Sequence, residues 1–517
     1  MSKAIKSAHQ KEFLGHPVGL YILFLTEMWE RFSYYGMRGI LVLYLTAETR
    51  SENPGLGWLD TEALALYGWY TMLVYVASIP GGIIADKIIG QKRAVMVGGV
   101  LLVMGHGILS IEEMWAFYSG LGLIVSGVGM LKPNISTLVG GLYAQGDERR
   151  DKGFSIFYIG INVGAALASL VVAVVADLYG WHAGFGLAAV GMVLGQVVYM
   201  SGQKYLKHVG NKPTQSKDEN SEDVTISTLF KNLITTRVPA LVTGVLALFS
   251  IYWTIMKDWA YGVFFLFLSI VVGFMITIYH DLESKVERDR FIVLLLSFII
   301  VIVFWGAFEQ AGGLMNLYAD NRTDRVLFGY QIPAAVFQFF NPFYIIVFAV
   351  PVANFWMWWK YRGREASSLF KMANGVIIMG LGFVFMVFAS MQYEALGKSA
   401  MYWLALAYLF HTIGELCASP VALSFITKLA PVRYGALMMG VYFAATGLGN
   451  KVAGIIGESA TNTGELNIFA GITIFCVIFG LLVILLLKPL KRLTHKAEDL
   501  RKDTSDEETE GFELADN

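Results

Sequence analysis

The chain has 517 residues, of which 56% are hydrophobic and only 15% charged. A soluble domain carries roughly 45–50% apolar and about 25% charged residues, so a single large water-soluble core is excluded. The formal net charge of −1 supplies no global basic field and excludes a general nucleic-acid binder.

The first apolar block, 18–46, follows a polar, basic stretch through Lys11. It carries charges and has no cleavage-like end, so no cleaved signal peptide is expected. Further helical blocks follow at 62–89, 94–111, 115–142, 153–178 and 183–206, then 236–256, 259–279, 291–319 and 330–359. The last are 368–392, 399–430, 434–459 and 466–488, which makes fourteen. A bilayer core of about 30 Å needs about 20 helical residues, and the blocks meet that length. Helices are required because a spanning segment must satisfy its own backbone hydrogen bonds. The expected fold class is therefore an all-α polytopic membrane protein. The longest polar interruption, near 208–225, divides the chain. The predicted domains are a cytoplasmic N-terminus 1–17, a six-helix bundle 18–206, a linker 207–235, an extra helical pair 236–279, a second six-helix bundle 291–488 and a disordered tail 489–517. The extra pair has no charge except at the Lys257–Asp258 turn and is read as lipid-facing scaffold. The tail is acidic from Glu498 onward and suits a solvated extension.

The connections alternate in charge. One set is basic: Lys3, Lys6 and Lys11; Lys87, Lys92 and Arg93; Arg149, Arg150 and Lys152; Lys204 and Lys207; Lys360, Arg362 and Arg364; Lys428 and Arg433; Lys488, Lys491 and Arg492. The other is acidic or mixed, including Glu48, Glu52, Asp60, Glu112, Glu113, Glu394, Glu458 and Glu465. The positive-inside rule then places both termini in the cytoplasm of a multi-pass protein. Loop 320–325 fits least well, because Arg322 and Arg325 would lie outside.

At least seven ionisable groups fall within helices: Glu27, Glu30, Arg31, Arg38, Lys132, Glu309 and Glu415. At bilayer centre each costs about 2.5–3.5 kcal/mol on insertion scales, so each needs a partner or a wet cavity. Structural ion pairs are the bland alternative, but a static bundle could replace buried pairs with apolar residues at little cost. Seven such groups over both halves point to a solute path. Glu27, Glu30 and Arg31 share one helix face by spacing, and two carboxylates with one guanidinium suit proton sharing. A rise of about 1.5 Å per residue places Arg38 and Glu309 together near the outer side. Lys132 and Glu415 fall at matching depths just inside the midplane. The expected arrangement is two cross-half gate pairs, Arg38–Glu309 and Lys132–Glu415, alternating around a central site. Tyr34, Tyr35 and Tyr75 would add aromatic walls. His106 and His411 read as packed or hydrogen-bonded, Cys417 and Cys476 as buried spectators, and Lys451 as a cation without an evident partner.

The string Glu27-x-x-Glu30-Arg31-Phe32-x-Tyr34-Tyr35-Gly36 resembles the first-helix signature of the proton-dependent oligopeptide transporter (POT/PTR2) family, within the major facilitator fold. Gly82 to Arg93 is similar to the loop signature of that superfamily. Lys132-Pro133-Asn134-Ile-Ser136, Phe157-Tyr158-Ile-Gly-Ile-Asn162-Val-Gly164, Asn341-Pro342, and Glu415 with Ser419-Pro420 resemble further family motifs. The resemblance covers about 18–460, and the extra helical pair is typical of prokaryotic members. It implies a symporter that imports di- and tripeptides with protons across the cell inner membrane, with no cofactor and H+ as coupling ion. Arg31, Arg38 and Lys132 would meet the peptide carboxyl end or the gates. Glu415, Asn162 and Asn341 would meet the amino end, with Ser419 nearby. Glu27 and Glu30 would couple protons beside Lys132, and Tyr35, Tyr75, Trp305 and Glu309 would line the cavity. Two positions depart from the pattern: Gly68 stands where mammalian-type members carry a histidine, and Tyr442 where a tryptophan is common.

Three other readings remain. An ion channel needs a selectivity element, and no filter-like repeat occurs. An intramembrane enzyme lacks any Ser-His, HExxH or paired-Asp arrangement. A carrier of nitrate or of an amino-acid-like solute is the third; loss of the carboxylate facing the amino end would favour an anion, but Glu415 is present.

Overall fold

The structure is a computed structural model that describes residues 11–144, 147, 149–211, 226–256 and 259–497. Lys3, Lys6, the Lys257–Asp258 turn, most of loop 208–225 and the acidic tail from Glu498 lie outside the described residues. The described residues open with a short hairpin, Glu12–Phe13 (β1) against His16–Pro17 (β2). The helices that follow are α1 (Val18–Thr46), α2 (Asp60–Val76), α3 (Ser78–Ile84), α4 (Gln91–Leu109), α5 (Met114–Gly141), α6 (Arg149–Tyr179) and α7 (Trp181–Ser201). Next come α8 (Ile226–Thr235), α9 (Arg237–Met256), α10 (Trp259–Asp281), α11 (Lys285–Phe308) and α12 (Leu314–Arg322). The chain continues with α13 (Phe340–Tyr361), α14 (Ser368–Leu396), α15 (Met401–Leu429), α16 (Gly435–Thr463), α17 (Glu465–Leu485) and the short α18 (Leu487–Leu493).

Among the described residues, twelve helical segments are long and apolar enough to cross a bilayer. The two remaining long helices, α1 and α16, have 29 residues each and hold the buried charges Glu27, Glu30, Arg31, Arg38 and Lys451. Strand pairing is confined to connections: besides β1–β2, Thr323–Asp324 (β3) pairs with Ser399–Ala400 (β6), and Val326–Leu327 (β4) with Tyr330–Gln331 (β5).

The helices form two compact units. One comprises Met1–Gln215, Phe298–Ala422 and Gly440–Leu485; the other comprises Ser216–Ser297, Leu423–Met439 and Leu486–Asn517. Every buried charge named above lies in the first. In the second, α9 and α10 pack side by side, and α8 joins them through Phe230, edge-on to Phe274 at 4.8 Å. Helix α8 lies inside the stretch expected to be linker. Apolar residues at Ile226, Leu229, Phe230, Leu233 and Ile234 follow an amphipathic helical spacing, and Leu229 and Leu233 are buried.

Small residues set the closest helix approaches, as is usual where lipid removes the hydrophobic drive to associate. Pro133 inside α5 has no N–H for the carbonyl of Gly129. Gly81 of α3 packs on that carbonyl so closely that a Cβ there would lie 2.0 Å from the oxygen. Asn134 braces the junction, its Nδ2 donating to the Met130 carbonyl at 2.7 Å and reaching that of Gly81 at 3.5 Å. Helices α2 and α16 meet at Gly68 and Gly454, where a Cβ on either would lie 3.0 or 2.9 Å from the other's Cα.

The block expected as one helix over 291–319 is broken. Helix α11 ends at Phe308, a 3-10 turn covers Glu309–Ala311, and α12 starts only at Leu314. Gly312 makes room at the break, because a Cβ there would meet the Tyr67 hydroxyl at 1.9 Å. The block over 330–359 likewise starts as a 3-10 segment, Ala334–Phe339, before α13.

Candidate functional site

On α1, Glu27, Glu30, Arg31 and Arg38 are all buried. The Nε of Arg31 donates to Glu27 Oε1 at 2.8 Å and contacts Glu30 Oε2 at 2.6 Å, so one guanidinium nitrogen serves two carboxylates. The Glu30 contact is an ion contact without hydrogen-bond geometry. Oε2 of Glu27, both oxygens of Glu30 and Nη2 of Arg31 have no hydrogen-bond partner. Buried polar atoms are normally satisfied, so this cluster is unusual in leaving four of its polar atoms unpartnered. Tyr35 packs between the two arginines, with its ring 5.9 Å from the Arg31 guanidinium and 4.9 Å from that of Arg38. Tyr34 lies 5.8 Å from Arg31.

Arg38 reaches across to the α11–α12 break. Its Nη1 donates to Glu309 Oε1 at 2.7 Å, and the Tyr67 hydroxyl donates to the same oxygen. The pair is buried, with side-chain exposures of 11% and 2%. Asn316 of α12 adds a second tie, its Nδ2 donating to the Gly39 carbonyl at 2.8 Å.

Lys132 and Glu415 were expected to pair and do not pair in this structure. Each is held on its own side instead. The Lys132 ammonium sits 3.7 Å from the centre of the Tyr75 ring, a geometry that stabilises a cation without a counter-charge. Glu415 Oε2 accepts from Asn341 Nδ2 at 2.9 Å, and the same amide donates to Thr412 Oγ1 at 3.1 Å. Neither Lys132 nor Glu415 has an ion-pair partner among the described residues.

The other expected site residues are distributed as follows. Asn162 is buried and donates to the carbonyl of Tyr158 within its own helix. Trp305 packs edge-on to Phe308 at 5.1 Å and closes on α16 at Gly449. Ser419 is one turn beyond Glu415 on α15. Lys451 acquires a partner: its ammonium is 3.5 Å from Glu458 Oε1 and 5.0 Å from the Trp69 ring. His106 and His411 are fully packed, with no hydrogen bond to either ring nitrogen. Cys417 and Cys476 are free and buried. No group of three His, Cys, Asp or Glu capable of holding a metal occurs among the described residues.

Three features went unread in the sequence. Tyr67 carries no charge and looks like one more aromatic of an apolar helix. Thr412 is a hydroxyl in a similar block. The break after Glu309 had a readable signal, the Gly312-Gly313 pair, which punctuates a helix.

A bundle of long apolar helices with charged side chains buried among them defines a multi-pass membrane protein. The PTR2 profile, described as the POT family, matches residues 92–470. An uncharacterized transporter of Bacillus subtilis, YclF, is 38% identical over 94% of this chain and 97% of its own length. A di-/tripeptide transporter of Lactococcus lactis is 33% identical over 94% of this chain and 98% of its own. Among solved structures, a mutant of a POT peptide transporter in complex with alafosfalin superposes with a TM-score of 0.78 at 35% identity, over 94% of this chain and 98% of that one. A POT family transporter in complex with 5-aminolevulinic acid gives 0.79 at 32%, over 94% and 100%. The chain belongs to the POT family. Its fold is the major facilitator fold of those transporters, and the protein is a transporter, not an enzyme.

Proposed function

We propose that the chain is a proton-coupled symporter that imports di- and tripeptides by alternating access around a zwitterion site at the bilayer midplane. The observation that carries this reading is the unequal state of the two cross-half pairs. Arg38 and Glu309 are engaged, while Lys132 and Glu415 stand apart, each on a weaker local partner. Such a difference suits a two-state element in which one side is closed while the other is free to admit a solute. A peptide carboxylate would meet Arg31 and Lys132, and its ammonium would meet Glu415 beside Asn341. Glu27 and Glu30 would pass the coupling proton, since Arg31 satisfies only part of their four oxygens. The partition into two six-helix bundles, 18–206 and 291–488, with an extra pair at 236–279, belongs to the same reading. So do the cell inner membrane and cytoplasmic termini.

Two named relatives supply the substrate class: the Lactococcus protein is a di-/tripeptide transporter and one solved structure holds alafosfalin. The 5-aminolevulinic acid complex favours a second reading, a carrier of amino-acid-like solutes. Uptake of labelled dialanine into proteoliposomes, with and without an inward proton gradient, tests the first. The expected result is gradient-stimulated uptake, abolished in Lys132→Ala with exchange retained. Uptake indifferent to the gradient would remove the coupling, and no competition by unlabelled dipeptide against 5-aminolevulinic acid uptake would favour the second reading.

A further inference from the structure

A cleft of about 390 Å³ lies between α13, α14 and α15, lined by Phe355, Trp356, Trp359, Phe370, Ile378 and Cys417 among others. Its volume is in the range of ordinary ligand pockets. On α15 it is built from Ile413 and Cys417. These stand two residues either side of Glu415, so they occupy the opposite helix face and the cleft turns away from the transport path. Its lining residues offer a zwitterion no charge. The Trp356 indole N–H is used by Cys417 Sγ at 3.4 Å, that of Trp359 by the Glu365 carbonyl at 2.9 Å, and the Asn374 amide by the Phe370 carbonyl at 2.7 Å. What remains is hydrocarbon and ring surface, with Phe355 45% exposed.

One end of the lining, Trp359 and Phe370, borders the connection between α13 and α14, which is basic and carries Lys360, Arg362 and Arg364. The Arg364 guanidinium stacks over Trp359 at 4.5 Å and that of Arg362 over Trp358 at 4.2 Å. Lys371 lies 5.4 Å from the Trp356 ring. Trp359 thus does two jobs: its N–H pins the loop at Glu365, and its face seats the Arg364 cation at this end of the cleft. Stacking uses the flat face of a guanidinium and leaves its N–H edge for a phosphate. Neither Arg362 nor Arg364 is paired with a carboxylate among the described residues. Glu365 is the acid on this connection, and one of its oxygens accepts from the Ser367 N–H at 2.9 Å.

We propose that the cleft binds an anionic phospholipid, with an acyl chain between α13 and α14 and its phosphate at Arg362 and Arg364. An apolar slot closed at one end by cations reproduces the two chemistries of such a lipid in order, and basic pockets between membrane helices recognise anionic headgroups. The site is separate from the peptide path and does not depend on it.

The test uses the full-length protein in phosphatidylcholine vesicles, with increasing fractions of phosphatidylglycerol brominated in mid-chain. Quenching of Trp356 and Trp359 is read as the difference from a W356F/W359F variant. Brominated phosphatidylglycerol should quench these two residues at a lower mole fraction than brominated phosphatidylcholine. The variant R362Q/R364Q, whose changes fall on exposed loop positions, should raise the half-quenching fraction about tenfold or more. Equal quenching by both lipids, unaffected by R362Q/R364Q, would reduce the cleft to ordinary annular contact. Absence of quenching by either lipid would show that no chain enters it. Both results overturn the proposal.

Discussion

Arg38 and Tyr67 converge on a single oxygen of Glu309, so the contact proposed to close the outer side is a three-residue network and not a bare ion pair. Removing one neutral donor from such a network leaves the charges in place and isolates its share. A hydrogen bond to a charged group contributes about 1.5–3 kcal/mol. Tyr67→Phe should therefore weaken the closed outer side by about tenfold or more in population. The check is accessibility of a cysteine placed at Tyr35 to an outside thiol reagent. Faster labelling in Tyr67→Phe is expected, and unchanged labelling would make the hydroxyl contact incidental. The residue scale also marks what the sequence could convey. Glu27, Glu30, Arg31, Arg38, Lys132, Glu309 and Glu415 were legible because charge in a hydrocarbon block is costly and conspicuous. Tyr67 and Thr412 were not, because a hydroxyl on an apolar helix carries little cost and no pattern. The partner of Lys451 was hidden for a different reason: Glu458 is two turns away on the same helix, beyond the three- and four-residue spacings that mark neighbours.

Helix existence followed from length and apolarity, whereas helix interruptions followed from packing that one segment cannot display. At the 3-10 turn holding Glu309, Tyr67 from α2 fills the space that a side chain at Gly312 would need. Arg322 and Arg325, which weakened the charge alternation, are paired in the structure, Arg322 with Glu465 at 3.2 Å and Arg325 with Asp320 at 2.7 Å. Paired arginines carry little net field, so they do not argue against the orientation. The adjacent glycines of α3, Gly81 and Gly82, are likewise unequal. Gly81 lies on the carbonyl of Gly129, but a Cβ on Gly82 would meet nothing within 4 Å. Gly81→Ala should destabilise by about 1–3 kcal/mol, because backbone and not a flexible side chain blocks the methyl. Gly82→Ala should leave stability unchanged or raise it by up to about 1 kcal/mol, through the lower backbone entropy of alanine in the unfolded chain. Thermal unfolding of the two variants in detergent, side by side, reads the difference. A Gly82 variant as unstable as the Gly81 variant would contradict the α3–α5 contact.

For the molecule as a whole, the question is whether the two cross-half pairs exclude one another or merely happen to differ. A ligand or mutation shifts a two-state equilibrium only through its differential effect on the two states. If the proposed alternation holds, loss of the Glu309 charge removes an interaction made only when the outer side is closed and should favour the alternative state throughout the bundle. Spin labels report this without touching the charged residues themselves. One pair belongs on the outer connections, at Ser51 and Val326, both exposed. A second belongs near the inner ends of α5 and α15, at Thr137 and Val421. In Glu309→Gln the outer distances should lengthen and the inner distances shorten in the same fraction of molecules, as Lys132 is released from Tyr75 toward Glu415. A bundle that only loosens would lengthen the outer distances and leave the inner ones where they were. That outcome would keep Arg38–Glu309 as a structural clamp and would take the alternation out of the transport cycle. Opposed changes of equal population would instead tie the two pairs to one rocking element, with the peptide site between them.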